Sequence, residues 1–296
     1  MQTRSTPSLF RRKPFLRMII SGLAAALSVT LSACSAPRLS GRAESEHLQQ
    51  SPCEQAYGSA TLNDTRAKAG HLVVMRYLSA AQAQRQWLLV AANCSQRFAE
   101  GSIHSAQNAL IHQSLANQLG QALDKADTES SSLEQGDVAH ITGSILAAMA
   151  LAEDRAGFAV ETMASRHIPN ASISTSDDYK AAASRLMSAS SGANDPRQKV
   201  YAVGTILAHP AAVVDAPTGL RAPTLAAVEI DCAREEITAI NGADTHTNAA
   251  TSSSSTGYNG SRERERGLLT LATLVSGHAL TAFDEGYPSF DHALFS

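Results

Sequence analysis

Residues 141–163, ITGSILAAMALAEDRAGFAVETM, decide the fold class of this chain. At about 100° per residue, the apolar side chains of this stretch fall on one stripe, as in a helix that buries one face. The stripe consists of Ile141, Ile145, Ala148, Met149, Ala152, Ala156, Ala159 and Met163. Many of these side chains are small, so a neighbouring helix can approach closely. The pattern predicts a long helix over residues 137–166 that packs against other helices.

The same helical pattern extends through most of the chain. Helical periodicity also covers residues 65–99, 103–124, 177–192, 223–240 and 262–283, and Gly101 is expected to end the first of these helices. Aromatic residues make up 5% of the sequence, a composition that suits close-packed helices better than a β-sandwich. The sequence therefore predicts an all-α protein, with an N-terminal helical hairpin at 65–126 and a helical bundle at 137–290. The Ser-, Thr-, Asn- and Gly-rich residues 242–261 are predicted to form a disordered loop within that bundle.

The first 33 residues have the three parts of an export signal. A basic start is followed by an apolar stretch, residues 18–33, which is shorter than the roughly 20 residues that a membrane-spanning helix needs. The stretch ends in Leu31-Ser32-Ala33-Cys34, which resembles the lipobox of bacterial lipoproteins. In that family the signal is cut before the cysteine, whose thiol carries a diacylglyceryl group. The alternative is an ordinary secretory signal that ends near a cysteine.

The resemblance implies a cellular location and a lipid anchor. Residues 1–33 are expected to be a lipoprotein signal peptide, and Cys34 the lipidated residue that holds the protein at the cell membrane, outside the cytoplasm. Residues 34–64 are predicted to form a tether. Without the five basic residues of the signal, 19 Lys and Arg face 27 Asp and Glu, so the net charge is near −8. A chain this acidic is not expected to bind nucleic acid.

Three cysteines remain after lipidation of Cys34. A disulfide is permitted outside the cytoplasm, and an odd number of cysteines leaves one unpaired. Cys53 and Cys94 both lie in the N-terminal part, so a tentative disulfide is assigned to them, with Cys232 as a buried small hydrophobe. The sequence leaves the other pairings open.

Sequence motifs of known catalytic and cofactor sites are absent, including G-x-S-x-G, the P-loop, G-x-G-x-x-G, H-E-x-x-H and C-x-x-C. Three polar residues nevertheless lie at or beside apolar stripes. Glu153 borders the stripe of the long helix, Glu229 flanks Leu225 on a later helix, and His278 falls within the stripe of the last helix. An interhelical hydrogen bond or a satisfied core histidine explains each of them singly. If they converge, they form a polar site inside the bundle.

The order of several segments resembles an uncharacterised ferritin-like domain family found in actinobacterial proteins. The resemblance covers about residues 137–290 and rests on residues 152–159 (AEDRAGFA), residues 201–203 (YAV), residues 213–217 (VVDAP) and an alanine-rich helix containing Glu229. It implies a ferritin-like four-helix bundle. It does not imply iron, because di-iron bundles carry Glu-x-x-His on two helices and the bundle helices of this chain carry none.

The sequence thus predicts a membrane-anchored extracytoplasmic lipoprotein that is a non-enzymatic binding or scaffold component of the cell envelope. Its expected partners are the membrane, through the lipid anchor, and an envelope protein or a small ligand. No metal or other cofactor is predicted beyond the diacylglycerol on Cys34. The alternative is a ligand- or metal-binding bundle, or an enzyme, with its site near Glu153, Glu229 and His278.

Overall fold

The computed structural model describes residues 50–69, 72–94, 96–122, 138, 140–247 and 258–294. These residues belong to one compact unit. They are mostly helical, which confirms the all-α class. The helices and strands are α1 (Pro52–Lys68), α2 (Val73–Asn93), α3 (Phe98–Leu119), α4 (Gly143–Ser165), α5 (Ile173–Ala189), α6 (Gly204–Ala208), β1 (Ala212–Val214), β2 (Arg221–Pro223), α7 (Thr224–Thr247), α8 (Tyr258–Asp284) and α9 (Asp291–Leu294).

The predicted tether is too long, because its last residues belong to α1. Ser51 begins this helix with a capping box: its hydroxyl accepts a hydrogen bond from the Glu54 amide, and the Glu54 carboxylate accepts one from the Ser51 amide. Pro52 occupies the first turn, where its missing N–H costs nothing. The buried face of α1 consists of alanines, which give a weak sequence signal. The N-terminal part therefore has three helices, α1 to α3, where the sequence predicts a hairpin.

The helix predicted over residues 65–99 is split, and Gly101 lies inside α3 instead of ending a helix. A Cβ built at Gly101 would stand 2.5 Å from the Ala91 nitrogen and 2.6 Å from the Trp87 carbonyl oxygen of α2. Only glycine permits this approach of the two helix backbones. The disulfide between Cys53 and Cys94, with a Cα–Cα distance of 4.9 Å, joins the start of α1 to the end of α2.

Four helices, α4, α5, α7 and α8, surround the largest apolar cluster, and α2 and α3 add to it through Ala91 and Phe98. The stripe of the long helix is buried as predicted, except that Ala148 is exposed. The described residues contain no helix that is long and apolar enough to cross a membrane. Of the predicted loop at 242–261, the flanks are helical, and residues 248–257 lie outside the described residues.

A short hairpin that the sequence analysis missed precedes α7. β1 and β2 pair in antiparallel fashion, from Ala212 opposite Pro223 to Val214 opposite Arg221. Asp215 follows β1 and is buried; it accepts hydrogen bonds from Tyr287 Oη at 2.7 Å and Arg234 Nη1 at 3.0 Å. These bonds fasten the hairpin to α7 and to the chain after α8.

The approach of α3 to α2 predicts opposite effects for two glycine-to-alanine changes. Gly101→Ala should lower the free energy of unfolding by about 1–3 kcal/mol, because helix backbones must separate to admit the methyl group. Gly58→Ala should raise it by up to about 1 kcal/mol, because Gly58 is an exposed helical residue where an added Cβ would meet nothing within 4 Å. Urea unfolding of both variants measures the difference. Equal effects would contradict the close approach.

Candidate functional site

A polar cluster lies inside the helical core, between α4, α5, α7 and α8. Glu153 comes from α4, Tyr179 from α5, Glu229 and Glu236 from α7, and His278 from α8. The three glutamates are between 0% and 1% exposed, although glutamate is almost never fully buried without a partner. The structure thus brings together Glu153, Glu229 and His278, which the sequence singled out.

His278 is the centre of the cluster. Its Nε2 lies 3.1 Å from Glu153 Oε1, and its Nδ1 lies 3.5 Å from Glu229 Oε2. The ring stacks on that of Tyr179, with 5.1 Å between centroids and 13° between planes. Tyr179 donates its hydroxyl hydrogen bond to Glu229 and stands 3.2 Å from His278 Nδ1. One imidazole therefore bridges carboxylates of two helices.

Glu236 adds a third carboxyl group that lacks a conventional partner. Neither of its oxygens has a hydrogen-bond donor among the described groups, and Glu153 Oε2 has none either. The Glu236 and Glu153 carboxyl groups face each other, and two acceptors can bond only if a proton lies between them. A single shared proton satisfies this pair, and it leaves one oxygen of Glu236 without a donor.

Cys232 completes the cluster on the α7 side. It is a free cysteine, 3% exposed, where the sequence predicted a buried small hydrophobe. Its Sγ lies in a group with one carboxylate oxygen of Glu153 and one ring nitrogen of His278, and these three atoms are within 4.8 Å of one another. Thiolate, imidazole and carboxylate are the side-chain groups that most often bind zinc.

Burial and neighbouring charge shift the pKa of His278, Glu236, Cys232 and Tyr179. Burial alone lowers the pKa of His278, but the charge and hydrogen bond of Glu153 raise it well above its usual value. Burial raises the pKa of Glu236 well above the ordinary range, His278 opposes that shift, and Glu153 adds to it. Burial also raises the pKa of Cys232 and of Tyr179, and the nearby carboxylates raise both further. These shifts favour the imidazolium form of His278, the protonated form of Glu236 and the neutral thiol of Cys232.

A metal ion could take the place of these protons. The protons on His278, Glu236 and Cys232 neutralise a site whose deprotonated form carries an excess of negative charge. A divalent cation supplies two positive charges in place of these three protons and binds the deprotonated groups directly, so metal binding would release protons. Glu153, Cys232 and His278 could hold the ion, with Glu229 or Glu236 as a further ligand.

Sequence reasoning missed Tyr179, Cys232 and Glu236 as members of the site. A signal was available on α7, because Leu225, Glu229, Cys232 and Glu236 recur at spacings of four, three and four and so share one helix face. For Tyr179 the sequence offered only its place on the buried face of α5. Cys34, the predicted lipidation site, lies outside the described residues.

Comparisons of this chain with protein-family models, curated proteins and solved structures give no match.

Replacing Glu236 with glutamine should stabilise the metal-free protein at neutral pH, by about 1–3 kcal/mol, because a neutral amide removes the buried acid and can donate to Glu153. Because folding raises the pKa of Glu236, the folded protein binds more protons than the unfolded chain. The wild type therefore loses stability relative to the variant as the pH rises above the ordinary carboxyl range of about 4. Urea unfolding in chelator from pH 5 to pH 8 measures this difference.

Glu235→Gln is the matched control, since Glu235 is the adjacent residue on α7 and is 41% exposed in its ion pair with Arg155. It should change stability by less than about 1 kcal/mol. A Glu236→Gln variant that is less stable than the wild type at every pH would show that the buried carboxyl group is stabilising.

Proposed function

We propose that this protein is an extracytoplasmic, lipid-anchored helical protein that binds one zinc ion inside a ferritin-like four-helix bundle. The observation that carries the proposal is the group of Glu153, Cys232 and His278, whose ligand atoms lie within 4.8 Å of one another in the core. The bundle consists of α4, α5, α7 and α8, and each of these helices contributes to the polar cluster. This arrangement corresponds to ligand sites built from facing helices in four-helix bundles.

The donor set favours zinc over the metals of di-iron bundles. Di-iron sites use carboxylates and two Glu-x-x-His motifs, whereas this cluster has one histidine and one cysteine. Zinc accepts cysteine sulfur, histidine nitrogen and carboxylate oxygen in one tetrahedral site. It has no redox chemistry, so a thiolate ligand remains stable beside it. Calcium and magnesium, which prefer all-oxygen sites, fit the sulfur and nitrogen donors poorly.

The three donor atoms need to move only slightly to reach the distances of a zinc site. Ligands at about 2.0–2.3 Å from zinc stand roughly 3.3–3.8 Å apart at the corners of a tetrahedron. The three donors are within 4.8 Å of one another, so movements of about 1 Å bring them into place. Glu236 has an oxygen without a donor and can take the fourth position, or that position can stay open. We assign metal binding to the site and no reaction.

The full chain, extracted in a mild detergent without chelator, should contain about one zinc ion per molecule by elemental analysis. Glu153→Gln, Cys232→Ser and His278→Ala should each lower the zinc affinity by roughly tenfold or more, since each removes a ligand. Glu161→Gln is the matched control, because Glu161 lies on the same helix as Glu153 and pairs with Lys180 at the surface.

Thermal unfolding distinguishes a lost ligand from a misfolded variant. Added zinc should raise the melting temperature of the chelator-treated wild type and of Glu161→Gln, and should have little effect on the ligand variants. A wild type that contains no zinc, and that zinc does not stabilise, would overturn the metal assignment.

The membrane anchor is supported by the sequence of the first 34 residues. The basic start, the short apolar stretch and the lipobox end at Cys34 in the order that lipoprotein signals have. Sixteen residues separate Cys34 from Ser51, which caps α1. A segment of that length gives the folded unit room above the membrane surface.

The full-length protein should fractionate with membranes and incorporate labelled palmitate. The Cys34→Ser variant should lose the label, because the hydroxyl of serine is not a substrate for diacylglyceryl transfer. Cys232→Ser should keep it, since Cys232 is a core residue. Palmitate incorporation by Cys34→Ser would show that the lipid is attached at another residue.

A further inference from the structure

A cavity of about 130 Å³ opens between α4 and α7, next to the polar cluster. Ala152 and Ala156 form its α4 wall, and Val228 and Cys232 form its α7 wall. Cys232 thus belongs both to this cavity and to the donor group with Glu153 and His278. The cavity therefore lies against Cys232, the sulfur ligand of the proposed zinc site.

The segment between α5 and β1 covers the cavity on a third side, through Tyr201, Ala202, Val203 and Ile206. Tyr201 fixes this cover: its hydroxyl donates to Asp154 Oδ2 at 2.7 Å and accepts from the Gln198 amide at 2.8 Å. Its ring packs edge-to-face against Phe158, with 5.6 Å between centroids. The covering segment is therefore held on α4, so the cavity has a defined shape.

The lining determines what size and polarity of molecule the cavity accepts. Its walls are largely alanine, valine and isoleucine side chains, and its volume is close to the roughly 150 Å³ of a buried apolar cavity that holds benzene. It therefore accommodates an apolar body of about six non-hydrogen atoms.

Charge restricts the class of ligand further. Asp231 and Glu235 line the cavity, and Arg155, the cation among the lining residues, is already paired with Glu235. The inner end lies beside the buried carboxyl groups of the cluster. An anionic ligand would meet repulsion from Asp231 and Glu235, whose side chains are partly exposed at the outer end, whereas a neutral one would not.

We propose that this cavity binds a neutral small molecule with an apolar body and one hydroxyl or carbonyl oxygen, which points toward Cys232 and the zinc ion. The apolar body fills the space between α4 and α7, and the oxygen takes the open coordination position. The contact with zinc rests on the proposed function, but the binding of the apolar body rests on the cavity alone.

Benzyl alcohol is the probe, and benzoate is its charged counterpart. In the full chain loaded with cobalt(II) in place of zinc, benzyl alcohol should change the visible absorption of the metal saturably, with a midpoint on the order of millimolar. Benzoate is compared in the chelator-treated protein, where no metal attracts its carboxylate, and should bind at least roughly tenfold more weakly than benzyl alcohol because of Asp231 and Glu235. Metal content is measured first, so failure of the zinc site is recognised separately.

Two matched substitutions on α4 test the location. Ala156→Leu fills the cavity and should abolish the response to benzyl alcohol while cobalt content is unchanged. Ala148→Leu adds the same atoms at an exposed position of the same helix and should leave the response intact. Equal responses in the two variants, or none in the cobalt-loaded wild type, would overturn the contact with the metal.

Saturation-transfer NMR tests the cavity without metal. Benzyl alcohol should receive saturation from the chelator-treated wild type and from Ala148→Leu, and at least roughly fivefold less from Ala156→Leu, whose cavity is filled. Because detergent takes up part of the probe, binding is judged from the difference between these variants. No difference between Ala148→Leu and Ala156→Leu would overturn the cavity as a binding site.

Discussion

The burial of three carboxyl groups around one imidazole is the constraint on which this structure depends. An isolated carboxylate in a protein core costs several kcal/mol, and even a paired one recovers that cost only with good geometry. His278 pairs with Glu153 and Glu229, and Tyr179 donates to Glu229. The four helices must therefore keep fixed positions relative to one another, because a displacement of any one of them leaves a buried charge without its partner.

Small residues make those positions possible. Gly157 faces α5, where a Cβ would stand 3.0 Å from Tyr179 Cβ and 3.1 Å from the Ser176 carbonyl oxygen. The absence of a side chain at Gly157 lets α5 approach α4 closely enough for Tyr179 to reach the cluster. Gly101 has the same role between α2 and α3. The alanine-rich composition thus determines the interhelical distances, and these determine which polar groups can meet.

The sequence predicts those features that a single helix determines by itself, such as its extent and its buried face. Periodicity identified the long helices and placed Glu153, Glu229 and His278 at or near buried faces. It missed α1, whose buried face has only alanines, and it took Gly101 for a helix end because one sequence cannot reveal a close helix crossing. Glu236 shares a face with Glu229, but its position opposite Glu153 depends on the packing of α4 against α7. Such a contact follows from tertiary structure, so helical periodicity alone does not specify it.

The cluster contains polar groups without hydrogen-bond partners, and this favours a ligand site over a network that only supports the fold. Buried polar networks that only support a fold have their donors and acceptors satisfied, since each unsatisfied group costs free energy. Here Glu236 can bond to Glu153 only through a proton and still keeps an oxygen without a donor, and Cys232 offers sulfur beside a carboxylate and an imidazole. An apolar residue at position 236 would support the same packing without the cost of burying an acid. The unsatisfied oxygens of Glu153 and Glu236 lie together, and a cation bound beside them would offset their negative charge.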